Sequence, residues 1–137
     1  MPTVIIPEYV IDTEVYEESS ILFSNFTDGG STSGTYTCRF QLPVNFWIDR
    51  CILTDVTGFT GDTSAACIIG DGSDTDRLNT GTPSVLTTAT IINMGLPSGT
   101  LPVTTAFFPV ITVTGAADFT SITAGAMTIK VYGRMVR

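Results

Sequence analysis

In Gly34-Thr35-Tyr36-Thr37-Cys38-Arg39-Phe40-Gln41-Leu42, the residues Tyr36, Cys38, Phe40 and Leu42 occupy every second position, with Thr35, Thr37, Arg39 and Gln41 between them. A period of two puts the two sets on opposite faces of a β-strand, one face against a core and the other towards water. The end of the chain repeats the pattern, with Met127, Ile129 and Val131 alternating with Thr128, Lys130 and Tyr132.

Pro43 stops the first of these strands, and the chain on either side divides at turn residues. Upstream, Ile21 to Phe26 reads as a short strand ended by Asp28-Gly29-Gly30-Ser31. Downstream come Phe46 to Val56 with the one tryptophan, Trp47, then the Gly58 to Asp62 turn and Ser64 to Ile69. A weaker strand is expected at Arg77 to Asn79 and another at Val85 to Ile92. After a connection carrying Gly95, Pro97, Gly99 and Pro102, Val103 to Thr114 and Met127 to Val136 complete the set. About eight short strands with turns between them predict an all-β fold, an antiparallel β-sandwich. Eight strands with long crossovers suit a jelly roll, and other Greek-key sandwiches fit as well.

Residues 1–18 read differently. Pro2 and Pro7 fix extended backbone, and Val4, Ile5, Ile6, Tyr9, Val10, Ile11, Val15 and Tyr16 alternate irregularly with acids. An arm lying across another subunit has this character, and so does an ordinary first strand. The arm is the reading adopted here: an extended arm over 1–18, then one β-sandwich domain over 19–137.

Charged residues make up 14% of the 137, against about 25% in ordinary soluble domains, so Thr, Ser, Asn and Gly must supply the polar surface. A subunit that hides much of its outside against neighbours needs fewer charges than a lone monomer. The net charge of −7 argues against binding nucleic acid through its phosphates. Acids crowd the beginning (Glu8, Asp12, Glu14, Glu17, Glu18), whereas Lys130, Arg134 and Arg137 finish the chain. The opening residues lack the basic stretch of a secretory signal, and no apolar run is long enough for a membrane span. Cys38, Cys51 and Cys67 form no CxxC pair and read as buried reduced thiols, consistent with synthesis in a reducing cytoplasm.

With no histidine in the chain, Ser-His-Asp and Cys-His catalysis are excluded. GxSxG, P-loop and GxGxxG motifs are missing, and only a pair of distant carboxylates is left as an enzymatic possibility. The expectation is a protein that is not an enzyme and carries no cofactor. The densest polar motif is Gly70-Asp71-Gly72-Ser73-Asp74-Thr75-Asp76-Arg77. Asp71, Asp74 and Asp76 are weak candidates for holding a hard cation such as Ca²⁺, although the loop departs from the EF-hand pattern. The competing reading is a turn at a strand end, with aspartates accepting from nearby amides and Arg77 balancing their charge. Trp47 is a candidate ligand contact, as a sugar-stacking surface would require.

GDGSDTDRLNTGTPS over 70–84 and VITVTGAADFTSITAGAMTIKVYGRMV over 110–136 resemble segments of the capsid cement, or decoration, proteins of tailed bacteriophages. The resemblance covers about the C-terminal half. It implies a jelly-roll-like body that forms a homotrimer on the outer surface of the phage head. It further implies that the major capsid protein is the partner, that terminal arms fasten neighbours, and that the protein resides in the virion. Alternative roles are a tail, baseplate or head-fibre subunit and a carbohydrate- or receptor-binding module.

Overall fold

The computed structural model describes residues 13–98 and 102–136. The strands are β1 (Glu14–Leu22), β2 (Thr27–Asp28), β3 (Ser33–Thr37), β4 (Phe46–Thr60), β5 (Ala65–Gly70), β6 (Ala89–Asn93), β7 (Val110–Gly115) and β8 (Ala124–Met135). Single 3-10 turns at Phe23–Asn25 and Phe119–Ser121 are the only helical pieces among the described residues. The strands form two four-stranded antiparallel sheets, ordered β1-β8-β4-β6 and β2-β3-β7-β5. The fold is an all-β sandwich.

Side chains from the two inner faces make one core. Phe46, Ile48, Cys51, Leu53, Val56 and Phe59 of β4 and Met127, Ile129 and Val131 of β8 meet Cys67 and Ile69 of β5 and Ile111 and Val113 of β7. Each fully buried side chain of this size contributes about 1.5–3 kcal/mol from the area it removes from water. Strand β4 keeps its apolar set inward over fifteen residues only because its register with β8 shifts between Ile48 and Arg50, between Thr54 and Thr57, and between Thr57 and Thr60. Each shift inserts a residue and resets which face the next side chain takes. Asp55 takes φ of 49° at one of them.

The pairing follows a nested order. Strand β1 pairs with β8, β3 with β7, and β4 with β6. Next to β5, Pro83–Val85 runs antiparallel through the Ala66–Ser84 bridge, with Cys67 N–H donating to the Pro83 carbonyl (2.9 Å) and Val85 N–H to that of Ala65 (2.8 Å).

Several expected boundaries differ. The sequence predicts an arm that ends at residue 18, but Glu14 to Glu18 form the first half of β1, hydrogen-bonded along β8. Residues 1–12 lie outside the described residues, so Val4, Ile5, Ile6, Tyr9, Val10 and Ile11 are not placed. No strand forms at Arg77 to Asn79. The preceding amides are spent in a turn around Asp71, and Leu78 and Asn79 are buried as an inward-folded loop. The expected Val103 to Thr114 strand is divided: Phe107 bridges Leu42, and the continuous ladder begins only at Val110, after Pro109, which has no N–H to donate. The strand over 34–42 leaves its ladder after Thr37, yet its alternation persists, with Cys38 and Leu42 buried and Thr37, Arg39 and Gln41 exposed. The Gly58 turn is part of β4, at a point where a side chain would run into the Leu86 carbonyl.

Candidate functional site

The aspartate loop is built around one carboxylate. Asp71 Oδ1 accepts from the backbone N–H of Ser73 (2.9 Å) and Asp74 (2.7 Å), and Oδ2 accepts from Arg77 Nη1 at 3.1 Å. Gly72 supplies the positive φ, 95°, that lets the chain turn this tightly. Burial pushes the Asp71 carboxyl up, but the Asp74 and Ser73 amides and the Arg77 guanidinium outweigh it and hold the group below the ordinary carboxylate range. Arg77 lies with its guanidinium carbon 4.6 Å from the centroid of the Phe107 ring. Asp71 therefore faces inward, to a cation of the chain itself. Asp74 is a separate case: a hydrogen bond with the Asp76 carboxyl, then burial and the charges of Asp76 and Asp71, raise its pKa. Among the described residues no group of three or more His, Cys, Asp or Glu side chains converges to hold a metal ion.

Trp47 is half-buried on β4, across from Arg134 on β8, and its backbone bridges Pro102. Of the apolar residues assigned to the arm, Val15 points outward from β1 and is 48% exposed. Tyr16 points inward, its ring 5.9 Å from that of Phe40 and 5.2 Å, edge-on, from Phe46. Tyr16 thus serves the core of its own chain.

Two arrangements carry no signal in the sequence. Glu18 of β1 reaches across the open side of the sandwich, accepting from the Tyr36 hydroxyl and from the Arg39 backbone N–H (2.6 Å). Burial and then the Glu18 hydrogen bond and charge push the Tyr36 phenol up to about 12. At the far end, Asp62 accepts from Thr63 N–H (2.6 Å) and Ala117 N–H (2.8 Å), tying the β4–β5 loop to the β7–β8 connection. These amides lower its pKa. The three cysteines are free and buried. Burial raises all three thiols, that of Cys67 to about 12.

An open depression of about 280 Å³ lies where β4 bulges away from β6, lined by Asp55, Val56, Thr57, Thr88, Ala89 and Thr90. Its lining offers one carboxylate, whereas hydrolysis of a glycosidic bond takes two.

The two outer faces of the sandwich differ in kind. On the β2-β3-β7-β5 sheet, Thr27, Thr35, Thr112 and Ile68 line up across the four strands. Ser33, Thr114 and Ala66 form the neighbouring row, with the Ser33 and Thr114 hydroxyls 2.8 Å apart. Neither row contains an ionisable group. On the other sheet, Arg50, Lys130 and Arg134 project outward with Trp47, Tyr132 and Val15. The Arg50 guanidinium carbon stands 4.5 Å over the Tyr132 ring. Glu17 lies opposite Lys130, and Asp49 is 3.8 Å from Arg134. With Asp55 exposed at the β4 bulge, three acids match the three cations on this face.

No family model, curated protein or solved structure matches the chain.

Proposed function

We propose that the chain is a virion structural protein, a cement protein that binds the outer surface of a phage head and stabilises the shell as a homotrimer with arm-mediated contacts. The observation that carries this reading is the uncharged Ser/Thr face of the β2-β3-β7-β5 sheet. Polar hydroxyls without charge are cheap to dehydrate and hydrogen-bond readily, which suits a surface covered in an assembly. A chain with 14% charged residues needs some such covering to remain soluble.

The nested pairing supports the jelly-roll form of the body. Taking Pro83–Val85 as the partner of β5, the sequence folds as one long antiparallel ribbon, with β1 against β8, β3 against β7 and β4 against β6. Wrapping that ribbon brings β8 beside β4 and β7 beside β5, the pairs that join its two halves. Strand β2 is an added edge. The resemblance of 70–84 and 110–136 to cement proteins points the same way, with the major capsid protein as partner. Many copies, each making modest contacts, would resist the outward pressure of packaged DNA through effective concentration.

Heads lacking the protein, mixed with purified chain, test the reading. Attachment should restore resistance to heat and osmotic shock, and a chain carrying Thr35→Arg and Thr112→Arg should bind at least tenfold more weakly, roughly 1.4 kcal/mol. Heads that bind no chain, or that gain no resistance on binding it, would end the proposal.

A further inference from the structure

We propose that Glu14–Glu18, the first half of β1, is a strap over the edge of β8, latched by Glu18 and hinged at Ser19 and Ser20, which opens as a unit while the rest of the sandwich stays folded. Such a strap belongs to the chain itself, whether or not the chain attaches to a phage head.

The two halves of β1 are held unequally. In the second half, Ile21 is 1% exposed and part of the core, and the Leu22 N–H donates to Asn25 Oδ1 at 2.8 Å. In the first half no residue is fully buried: Glu14, Tyr16 and Glu18 are partly covered, and Val15 and Glu17 are exposed. Among the described residues β1 ends its sheet, so this half has a ladder on one side only, from the Glu14–Gly133 pair to the Glu18–Ile129 pair. Its apolar hold on the core is the Tyr16 ring, which lies against Phe40 and Phe46. Few buried apolar contacts and an open side are what a locally opening segment has.

The ladder is already interrupted where a hinge is needed. Its register shifts between Glu18 and Ile21, and Ser19 and Ser20 are exposed. Ser20 takes φ of 57°, a conformation that residues with a side chain rarely adopt. A bulge leaves its extra residue without a ladder partner, so the two halves can part there without breaking the pairs of Ile21 and Leu22.

Glu18 fastens the first half to the opposite sheet. Its carboxylate accepts from the hydroxyl of Tyr36 on β3 and from the Arg39 N–H (2.6 Å), and hydrogen bonds to a charged acceptor are the stronger kind. The body does not depend on the strap. Strand β8 keeps its pairing with β4 from the Phe46–Met135 pair to the Thr60–Ala124 pair, and Met127, Ile129 and Val131 stay in the core. Closed, the strap covers the backbone of β8 from Ile129 to Gly133. Open, it bares a strand edge, the kind of surface on which strands of other chains pair.

Amide hydrogen exchange of the full chain, followed by NMR at neutral pH across low urea concentrations, is the test. The amides that join Glu14–Glu18 to Ile129–Gly133 should be protected as one group, at least about tenfold less than the β4–β8 ladder, with little dependence on urea because little surface is exposed. Glu18→Ala should speed exchange of that group about tenfold to a hundredfold. Global unfolding breaks the latch as well, so this variant speeds the ladder too, and a second variant separates the two openings. Ile69→Val, in the core on β5, should speed the amides that wait for global unfolding about threefold to tenfold and leave the strap group unchanged. Should Glu18→Ala lose its cooperative melt, Glu18→Gln replaces it, with an increase of about threefold to tenfold. Strap amides as protected as the β4–β8 ladder, strap amides that respond to Ile69→Val as the ladder does, or strap amides indifferent to the loss of Glu18 would each overturn the inference.

Discussion

Replacing Asp71 by alanine leaves a cation behind. The Arg77 side chain is 10% exposed, and its Nη1 donates to Asp71 Oδ2 at 3.1 Å while its guanidinium covers the Phe107 ring. Removing one member of a buried ion pair costs about 3–5 kcal/mol, because the other charge stays where water cannot reach it. Asp71 keeps 18% of its side chain in water, so part of that loss is recovered by solvent and about 2–3 kcal/mol remains. In a domain of this size that lowers the melting midpoint by about 8–12 °C. Asp71→Asn keeps an oxygen for the Ser73 and Asp74 amides but loses the charge, and should cost on the order of half as much. Urea unfolding of the three proteins at neutral pH, with unchanged slope, measures both differences. Acid supplies a second check. The folded pKa of Asp71 lies below its unfolded value of about 3.9, so its contribution is present above that pH and disappears as pH falls through the folded pKa. Wild type and Asp71→Asn should therefore converge in stability once the pH has fallen below the folded pKa of Asp71. An alanine variant within about 0.5 kcal/mol of wild type, or a gap that stays constant into acid, would refute the account of Arg77 as a buried charge held by Asp71.

The Glu18–Tyr36 contact gives a prediction on the alkaline side. With the Tyr36 phenol raised to about 12, its contribution is complete below the unfolded value near 10 and is lost as pH climbs from there to about 12. Glu18→Gln removes the charge and should bring one phenolate titration, followed by absorbance, down towards 10; a curve identical to wild type would show that Glu18 does not govern Tyr36. The thiols Cys38, Cys51 and Cys67, buried and raised in pKa, should resist a water-soluble thiol reagent in the native state and all react once urea has passed the unfolding midpoint. Rapid native modification would contradict their burial.

Legibility in the sequence tracked how strictly one face of a strand is buried. Strand β8 was readable because Met127, Ile129 and Val131 all point into the core. Strand β1 is ambiguous in the sequence, readable as arm or first strand, because it is an edge: Glu14, Tyr16 and Glu18 take the inward-leaning positions, and the carboxylates there reach water or the Tyr36 hydroxyl. Its register then shifts between Glu18 and Ile21, with Ser20 at φ of 57°, so the apolar pattern restarts out of phase. Arg77 to Asn79 failed for another reason. Leu78 is buried as a strand residue would be, yet Asn79 Oδ1 takes the Ile69 N–H at 2.8 Å, so a side chain does the work of a ladder partner. The turn reading of the aspartate loop was available from its Gly and Asp content. The contact of Arg77 with Phe107 joins residues thirty apart in sequence, and no local pattern announces it. The outer faces were beyond reach for the same reason, since only strand order decides that Thr35 lies beside Thr112 or Arg50 over Tyr132.

The strand order also separates the two outer faces of the sandwich. Because β1 and β8 are neighbours, the start of one lies beside the end of the other, and both ends of the described chain leave from the same sheet at the same end of the sandwich. The loops holding Asp28, Asp62 and Asp118 gather at the opposite end, tied by Phe119 N–H to the Ser31 carbonyl (2.8 Å) and Ala117 N–H to Asp62 (2.8 Å). Each of these aspartates accepts from amides of its own turn, so the acidic end is a capped and self-contained structure. The cations of β4 and β8 therefore lie on one sheet, and the Ser/Thr rows lie on the other. A rigid core about 10 Å thick separates these two faces. If the Ser/Thr face attaches to a shell as proposed, changes on β3 and β7 should weaken attachment and changes on β8 should leave it intact. Distant, independent sites add in free energy, so a chain altered on both faces should bind heads as weakly as one altered on β3 and β7 alone. A further loss brought by the β8 changes would mean that the two faces do not act separately.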